Sequence, residues 1–237
     1  MKRSNGKQEE NPWVSISDLM SVLMMVFLFV SITYMVKITI EKNRITTIAV
    51  TYENLQNELY LDLKKEFGKD LEAWNAVLDE STLSIRFEQP DILFEVGSSE
   101  LKSDFKTLLD DFFPRYLNIL TSDKYRNEIE EIRIEGHTSS EWVNQTSDQQ
   151  AYFNNMELSQ NRTRKVLEYI LRQDWNKNLF EWEKLHLTAN GLSSSKVILD
   201  ADGKENKEKS RRVEFRVKTD AEKRIIKILK QENTQSH

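Results

Sequence analysis

Apolar residues dominate the chain from Trp13 to Val36. The only formal charge in this stretch is Asp18, and the eighteen residues from Leu19 onward contain no ionisable group except the Tyr34 phenol. Apolar side chains occupy every face, whereas a helix packed in a soluble core would keep one polar face. As a helix, the eighteen residues from Leu19 to Val36 would span about 27 Å, close to the hydrocarbon thickness of a bilayer. The pattern predicts a transmembrane helix.

The pattern changes after this stretch, where apolar residues recur at alternating spacings of three and four. These residues are Ile45, Ile48, Tyr52, Leu55 and Leu59. The spacing is typical of the a and d positions of a coiled coil. Two interpretations remain open, because the helix can pair with a second copy of the chain or pack against its own domain. The spacing then drifts, and Gly68 is a predicted break.

From Thr82 onward, short runs of period two alternate with longer runs of helical period. The predicted strands cover residues 83–87, 131–135, 185–189 and 212–217. The predicted helices cover residues 103–120 and 159–173, and a last helix begins at Asp220 and buries Ile225, Ile226 and Leu229. This order predicts an α+β domain of the β-α-β-α-β-β kind.

Two residues set expectations for the helices of this domain. Ser159 has the side chain of a good N-cap and is predicted to begin the helix over residues 159–173. Pro114 lacks a backbone N–H and is expected to kink or divide the helix over residues 103–120.

The patterns together divide the chain into five segments. These are a short leader (1–12), the transmembrane helix (13–37), a helical connector with a possible coiled coil (38–80), the folded α+β domain (81–219), and a C-terminal helix and tail (220–237).

Composition narrows the classes of function. The 237 residues carry a formal net charge of −5 with basic residues spread along the chain, which argues against nucleic acid as a direct partner. Cysteine is absent, which excludes disulfides and thiolate chemistry. We find no glycine-rich phosphate loop or nucleophile–base pair, so we predict a protein that is not an enzyme and uses no cofactor or metal. Basic residues flank both ends of the apolar stretch and leave its orientation open.

Asp18 is the most informative polar residue, because a carboxylate near one end of a spanning helix is costly if it faces lipid. Burial against a protein partner would favour the neutral acid, so the group could take up and release a proton. Alternatively, Asp18 lies at headgroup level and flanks the helix start. Trp13 favours the deeper position, because an aromatic residue at the interface places Asp18 more than one turn further in.

Several motifs resemble the C-terminal, peptidoglycan-binding domain of the OmpA family. They are Asp91–Gly97 (DILFEVG), Ile134–Thr138 (IEGHT), Leu158–Arg162 (LSQNR), Asn190–Gly191 and Arg211–Glu214 (RRVE). They occur in the family's order, and the resemblance covers about residues 82–219. It implies an OmpA-like fold that binds peptidoglycan and therefore lies in the periplasm.

The N-terminal segment, with Pro12-Trp13 and Ser17-Asp18-Leu-Met, resembles the B subunit of flagellar-type stators, and most of all that of the Zorya anti-phage defence system. This resemblance implies a proton-driven motor subunit of the inner membrane, with Asp18 carrying the proton and the N-terminus in the cytoplasm. It also implies a homodimer within five copies of an A subunit. The alternatives are a flagellar stator subunit and a passive tether between membrane and peptidoglycan.

The OmpA resemblance also implies ligand-binding residues. Arg162 stands at the position of the family's arginine, whose planar guanidinium suits a carboxylate. Ser139 stands where the family has an aspartate, so the acidic partner for the ligand's ammonium is missing, and Glu141 is a candidate to reach the same space. The remaining expected peptidoglycan-binding residues are Asn154, Asn155 and Leu158.

Overall fold

The structure is a computed structural model that describes residues 12–88, 93–95, 97–142, 147–173 and 178–220. Backbone contacts divide the chain into two compact units, Met1–Val50 and Thr51–His237. The final helix predicted from Asp220, with Ile225, Ile226 and Leu229, lies outside the described residues.

Helix α1 (Pro12–Phe67) contains the apolar stretch and is, by length and composition, a candidate membrane span. Its most apolar window has a mean hydropathy of 2.3 and is not buried within the chain. The hydroxyls in this stretch bond within the helix, as Ser21 Oγ donates to the Ser17 carbonyl at 2.9 Å and Thr33 Oγ1 to the Phe29 carbonyl at 2.8 Å. Such internal bonds lower the cost of placing a hydroxyl in lipid.

The helix ends at Phe67, which confirms the predicted break at Gly68. The Gly68 N–H donates to the Lys64 carbonyl at 2.9 Å, and a Cβ on Gly68 would lie 2.5 Å from that carbonyl oxygen. Glycine is therefore the residue that this helix terminus accommodates without a clash.

The last turns of α1 form part of the second unit's core. Leu55, Leu59, Leu63 and Phe67 are fully buried and belong to the same apolar cluster as the sheet residues. Ile45, the first residue of the predicted coiled-coil pattern, is 66% exposed. Of the two interpretations left open by the sequence, packing within the chain therefore holds for Leu55 and Leu59.

Two ion-paired groups fix this segment to the rest of its unit. Asp62 accepts hydrogen bonds from Lys124 Nζ at 2.8 Å and from the Tyr125 hydroxyl at 2.6 Å. Arg115 donates to Glu66 Oε1 at 2.7 Å and to Asp70 Oδ2 at 2.8 Å. These pairs join α1 and the turn after it to elements about fifty to sixty residues further along the chain.

One five-stranded sheet has the order β1-β2-β5-β3-β4. Only the β3–β4 pair is parallel, and the other pairs are antiparallel. The strands are β1 (Ala76–Asp79), β2 (Ser84–Phe87), β3 (Ile129–His137), β4 (Leu187–Gly191) and β5 (Arg212–Thr219). Since β1 pairs with β2, the sheet already includes residues that the sequence analysis assigned to the connector.

Among the described residues, four further helices lie between these strands. They are α2 (Ser103–Leu120), α3 (Asp148–Leu171), α4 (Phe180–His186) and α5 (Lys207–Ser210). The order β2-α2-β3-α3-β4-β5 confirms the predicted β-α-β-α-β-β arrangement, to which β1 and the short helices α4 and α5 are added. Leu185, predicted in a strand, lies in α4, and β4 begins two residues later.

The two faces of the sheet differ in chemistry because side chains alternate along each strand. On the apolar face, Phe112 of α2 contacts Phe87 of β2 and Phe215 of β5, each at 5.1 Å between ring centroids. The opposite face carries charged side chains.

Pro114 lies inside α2, which continues to Leu120, so the expected division of this helix is wrong.

The N-cap assigned to Ser159 is wrong. Helix α3 begins eleven residues earlier, and its N-cap is Ser147, whose side chain accepts from the Gln150 N–H at 3.3 Å. Ser159 is 1% exposed in the middle of the helix. A serine hydroxyl can cap a helix start, but the same group can also bond to another segment of the chain. The hydroxyl of Ser159 makes a tertiary contact of this second kind, described below.

We expect Leu59→Ala to lower the free energy of unfolding by about 2 to 5 kcal/mol, because it leaves a cavity in the core. Leu61→Ala is the matched control, since Leu61 lies two residues further along α1 and is 53% exposed. The measurement is chemical unfolding of the full chain in detergent. Equal stability of the two variants, with reduced cross-linking between copies for Leu59→Ala, would instead assign Leu59 to a dimer seam.

Candidate functional site

Helix α3 approaches the ends of β3 and β4 so closely that two glycines are required. A Cβ on Gly136 would lie 2.9 Å from the Ser159 carbonyl oxygen, and one on Gly191 would lie 2.3 Å from the Gln160 backbone nitrogen. Both distances are shorter than side chains tolerate. The glycines of the Gly-His-Thr and Asn-Gly motifs therefore set how deeply α3 lies against the sheet.

Polar contacts fix α3 at this depth. The Ser159 hydroxyl accepts from the Ser193 N–H at 3.1 Å. The side chain of Gln160 accepts from the Gly191 N–H at 2.7 Å and donates to the Ala189 carbonyl at 3.2 Å. In addition, the Thr138 N–H donates to the Ser193 carbonyl at 3.0 Å, which joins the end of β3 to the loop after β4.

A cleft of about 390 Å³ lies between the outer face of α3 and the loop over residues 97–99. Its described lining residues are Gly97, Ser98, Ser99, Trp142, Asn154, Glu157, Leu158 and Asn161. We call it the α3 cleft. Its α3 residues follow the spacing i, i+3, i+4 and i+7, which places them on one helix face.

Arg162 lies behind the loop that forms one wall of the cleft. Its Nε donates to the Ser98 carbonyl at 3.0 Å, and its guanidinium lies 4.7 Å from the centroid of the Phe94 ring. A guanidinium stacked on an aromatic ring keeps a defined plane while it donates hydrogen bonds. Arg162 therefore holds the cleft loop in place.

Asn155 has a similar role on the other side of α3. It is 3% exposed, and its Nδ2 donates to the carbonyls of Ser139 and Glu141, each at 3.1 Å. Ser139 is itself 5% exposed. The Glu141 carboxylate pairs with Lys207. Glu141 is therefore engaged outside the cleft.

The predicted ligand-binding residues thus divide by position. Asn154 and Leu158 line the α3 cleft, whereas Arg162 and Asn155 support the loops beside it, and Ser139 is buried next to the second loop. Six lining residues are not among the ligand-binding residues predicted from the sequence: Gly97, Ser98, Ser99, Trp142, Glu157 and Asn161. The helical spacing from Asn154 could have identified the last two, had α3 not been assigned a start at Ser159.

A cluster of charged residues is buried where β3 and β5 pair. Glu135, His137 and Glu214 are each 3% exposed, and their ligand atoms lie within 4.8 Å of one another. Arg212 Nε donates to Glu214 Oε1 at 2.6 Å, and Arg216 lies 3.6 Å from Glu135. Since these arginines and Arg86, 3.8 Å from Glu214, already supply the positive charge, a divalent cation would be repelled. We interpret the cluster as structural.

His137 is the group of this cluster whose ordinary pKa, 6.5, lies closest to neutral pH. Burial lowers its pKa, and the nearby Arg212 acts in the same direction, although Glu135 and Glu214 oppose this. The distance of 3.6 Å between His137 Nε2 and Glu135 is too long for a hydrogen bond. The folded chain therefore favours the neutral imidazole of His137 more than water does, which lowers its pKa below 6.5.

Asp18 lies on the first turns of α1, five residues after Trp13. At about 1.5 Å per helical residue, the two residues are separated by about 7.5 Å along the helix axis. Asp18 is exposed in the single chain, so the structure leaves its side chain available to a partner.

We expect the free energy of unfolding to fall as the pH decreases from 7 to 5. The unfolded chain binds a proton at His137 near its ordinary pKa of 6.5, whereas the folded chain does not until the pH reaches the lowered pKa. The slope from one such group is at most about 1.4 kcal/mol per pH unit. Glu214, whose pKa is lowered from 4.5 in the folded state, adds a loss only below this window.

Urea unfolding at several pH values tests this expectation. His137→Asn should flatten the dependence between pH 7 and 5, whereas His186→Asn should keep it, because His186 lies on α4 outside the cluster. The assignment to His137 fails if both variants keep the wild-type slope.

Comparisons with known proteins agree with this fold. Residues 93–212 match the OmpA family. The chain is 51% identical over 224 residues to the Zorya protein ZorB of Escherichia coli, covering 94% of each chain. Its fold is similar to that of a MotB-like protein from Desulfovibrio vulgaris, with 24% identity, a TM-score of 0.50 and coverage of 70% of this chain and 96% of that one. The family resemblance noted in the sequence is confirmed, and the chain belongs to the OmpA family and, within it, to the Zorya ZorB proteins.

Proposed function

We propose that this protein is a stator-type B subunit of the bacterial inner membrane, and that it serves anti-phage defence. The observation that carries the proposal is the combination, in one chain, of a candidate membrane helix whose apolar stretch bears a single carboxylate and an OmpA-family domain. The 51% identity to a Zorya protein along almost the whole chain supports a defence role over a flagellar one.

The domain is proposed to bind peptidoglycan at the α3 cleft. Support comes from the family match and from two side chains, Asn154 and Leu158, that the sequence motifs assigned to the ligand and that line this cleft. Binding to peptidoglycan sets the orientation, with residues 1–12 in the cytoplasm and residues 81–219 in the periplasm. The domain then supplies a point fixed to the cell wall.

Asp18 is proposed to carry the proton that drives the motor. In a groove formed with an A subunit, protonation would remove its charge from a medium of low dielectric constant, and release would restore it. Each cycle then biases the rotation of five A subunits about a dimer of this chain. A passive tether would have the same domain and helix but would not use this carboxylate.

We expect Asp18→Asn to abolish protection against phage while membrane insertion and association with the A subunit stay intact. Asparagine keeps the size of the side chain and much of its hydrogen bonding but cannot titrate. The measurement is plaque formation on cells that express the complete system, with subunit association checked by co-purification.

Ser21→Ala is the matched control for this experiment. Ser21 is polar and lies in the same stretch, but its hydroxyl bonds to the Ser17 carbonyl of its own helix. Its variant should protect normally. Full protection by Asp18→Asn would reject proton transfer through this residue and favour the passive tether.

We expect Arg162→Ala to weaken binding to purified peptidoglycan by ten- to a hundred-fold, or about 1.5 to 3 kcal/mol. The substitution releases the cleft loop at Ser98 and removes a guanidinium suited to a carboxylate. Arg162→Lys should recover only part of the affinity, because an ammonium lacks the planar fork.

Co-sedimentation of the detergent-solubilised chain with purified sacculi measures this affinity. Arg164→Ala is the control, since Arg164 is exposed on the same helix two residues away. If Arg162→Ala binds as well as the control, Arg162 has no part in the site. If the wild-type chain does not bind, the peptidoglycan role is withdrawn.

A further inference from the structure

The ten residues after Asp220, AEKRIIKILK, separate apolar from basic side chains at helical spacing. With about 3.6 residues per turn, the apolar side chains would lie on one side of a helix and the basic ones on the other. The apolar residues are Ile225, Ile226, Ile228 and Leu229, and the basic residues are Lys223, Arg224, Lys227 and Lys230. A short helix of this kind depends on an apolar surface that covers its isoleucine side.

A series of hydrogen bonds fixes the start of this segment beside helix α1. The Asp220 N–H donates to the Glu128 carbonyl at 2.8 Å, and the Glu128 N–H donates to the Tyr125 carbonyl at 2.8 Å. The Tyr125 hydroxyl donates to Asp62 of α1 at 2.6 Å. A helix of ten residues spans about 15 Å, so residues 221–230 can reach the turns of α1 next to Asp62.

The first turns of α1 within the second unit, residues 51–62, offer an apolar position for this segment. Tyr52 precedes Leu55 by three residues and Leu59 by seven, which places all three on one stripe of the helix. Leu55 and Leu59 are fully buried, whereas Tyr52 is 39% exposed. The apolar stripe therefore continues past its fully buried part.

The charges of the two segments are complementary. Residues 51–62 contain three acids, Glu53, Glu58 and Asp62, and no basic residue. Lys124 lies 3.6 Å from Glu58 and 2.8 Å from Asp62, so one positive charge of the domain already faces them. The surface stays negative with this lysine included. Residues 221–230 carry four basic residues and one acid, Glu222, which give a net charge of +3.

We propose that residues 221–230 form a helix that packs against residues 51–62 of α1 in the same chain. The isoleucine side covers Tyr52 and the end of the apolar stripe, and the basic side chains lie beside the acids of α1. The contacts described above hold α1 from helix α2 and the turn after it, and the C-terminal helix holds it from a further segment. The inference does not depend on the peptidoglycan role, because it concerns contacts within one chain.

Disulfide cross-linking of the full chain in detergent tests this packing. The natural sequence has no cysteine, so an introduced pair reports on one contact. Tyr52→Cys is combined, one position at a time, with a substitution to cysteine at each residue from 223 to 230. A disulfide requires Cβ atoms about 3.5 to 4.5 Å apart. After mild oxidation, the fraction linked within one chain should be several-fold higher for Ile225→Cys and Leu229→Cys than for Lys223→Cys and Lys227→Cys.

Leu61→Cys is the matched control for Tyr52→Cys. Leu61 is 53% exposed, and it lies nine residues after Tyr52, which places it on the opposite face of α1. Its linked fraction should be several-fold lower at every position from 223 to 230. Equal linking from both faces of α1, or equal linking at apolar and basic positions, overturns the inference. Links found only between two copies, at twice the mass of the chain, overturn it as well and assign the segment to a dimer contact.

Discussion

The close approach of α3 to the carboxyl ends of β3 and β4 is the constraint on which the candidate site depends. Gly136 and Gly191 leave no room for a Cβ between helix and sheet, and Ser159 and Gln160 add hydrogen bonds at the same place. Because the inner face of α3 is fixed in this way, its outer face is fixed too. That outer face carries one wall of the α3 cleft.

The loops on either side of α3 depend on the helix in turn. Arg162 holds the loop over residues 97–99 through the Ser98 carbonyl, and Asn155 holds the segment from Ser139 to Glu141. Two of the residues that motif comparison assigned to ligand binding therefore also have a positioning role. A site built in this way is pre-organised, since its walls are held by buried or stacked side chains before any ligand arrives.

The second unit also incorporates the end of helix α1. Leu55 to Phe67 contribute four fully buried residues to the core, and Arg115, Lys124 and Tyr125 bond to acidic residues on or just after the same helix. The boundary between the two units falls at Val50 and Thr51. Within this unit, the end of α1 is therefore a structural element of the domain.

The sequence by itself determined the apolar helix, its end at Gly68, the order of the main strands and helices, and the family, because each depends on local periodicity or on motifs read along the chain. Tertiary structure decided the rest. Periodicity shows that Leu55 and Leu59 share an apolar face but not what covers it. Ser147 and Ser159 have the same side chain, so either could cap a helix. Only the folded structure, in which Ser159 is buried against Ser193, shows that Ser147 is the cap. Glu157 resembles any exposed helical glutamate until the loop over residues 97–99 is placed opposite it, because a cleft is formed by segments that are distant in sequence.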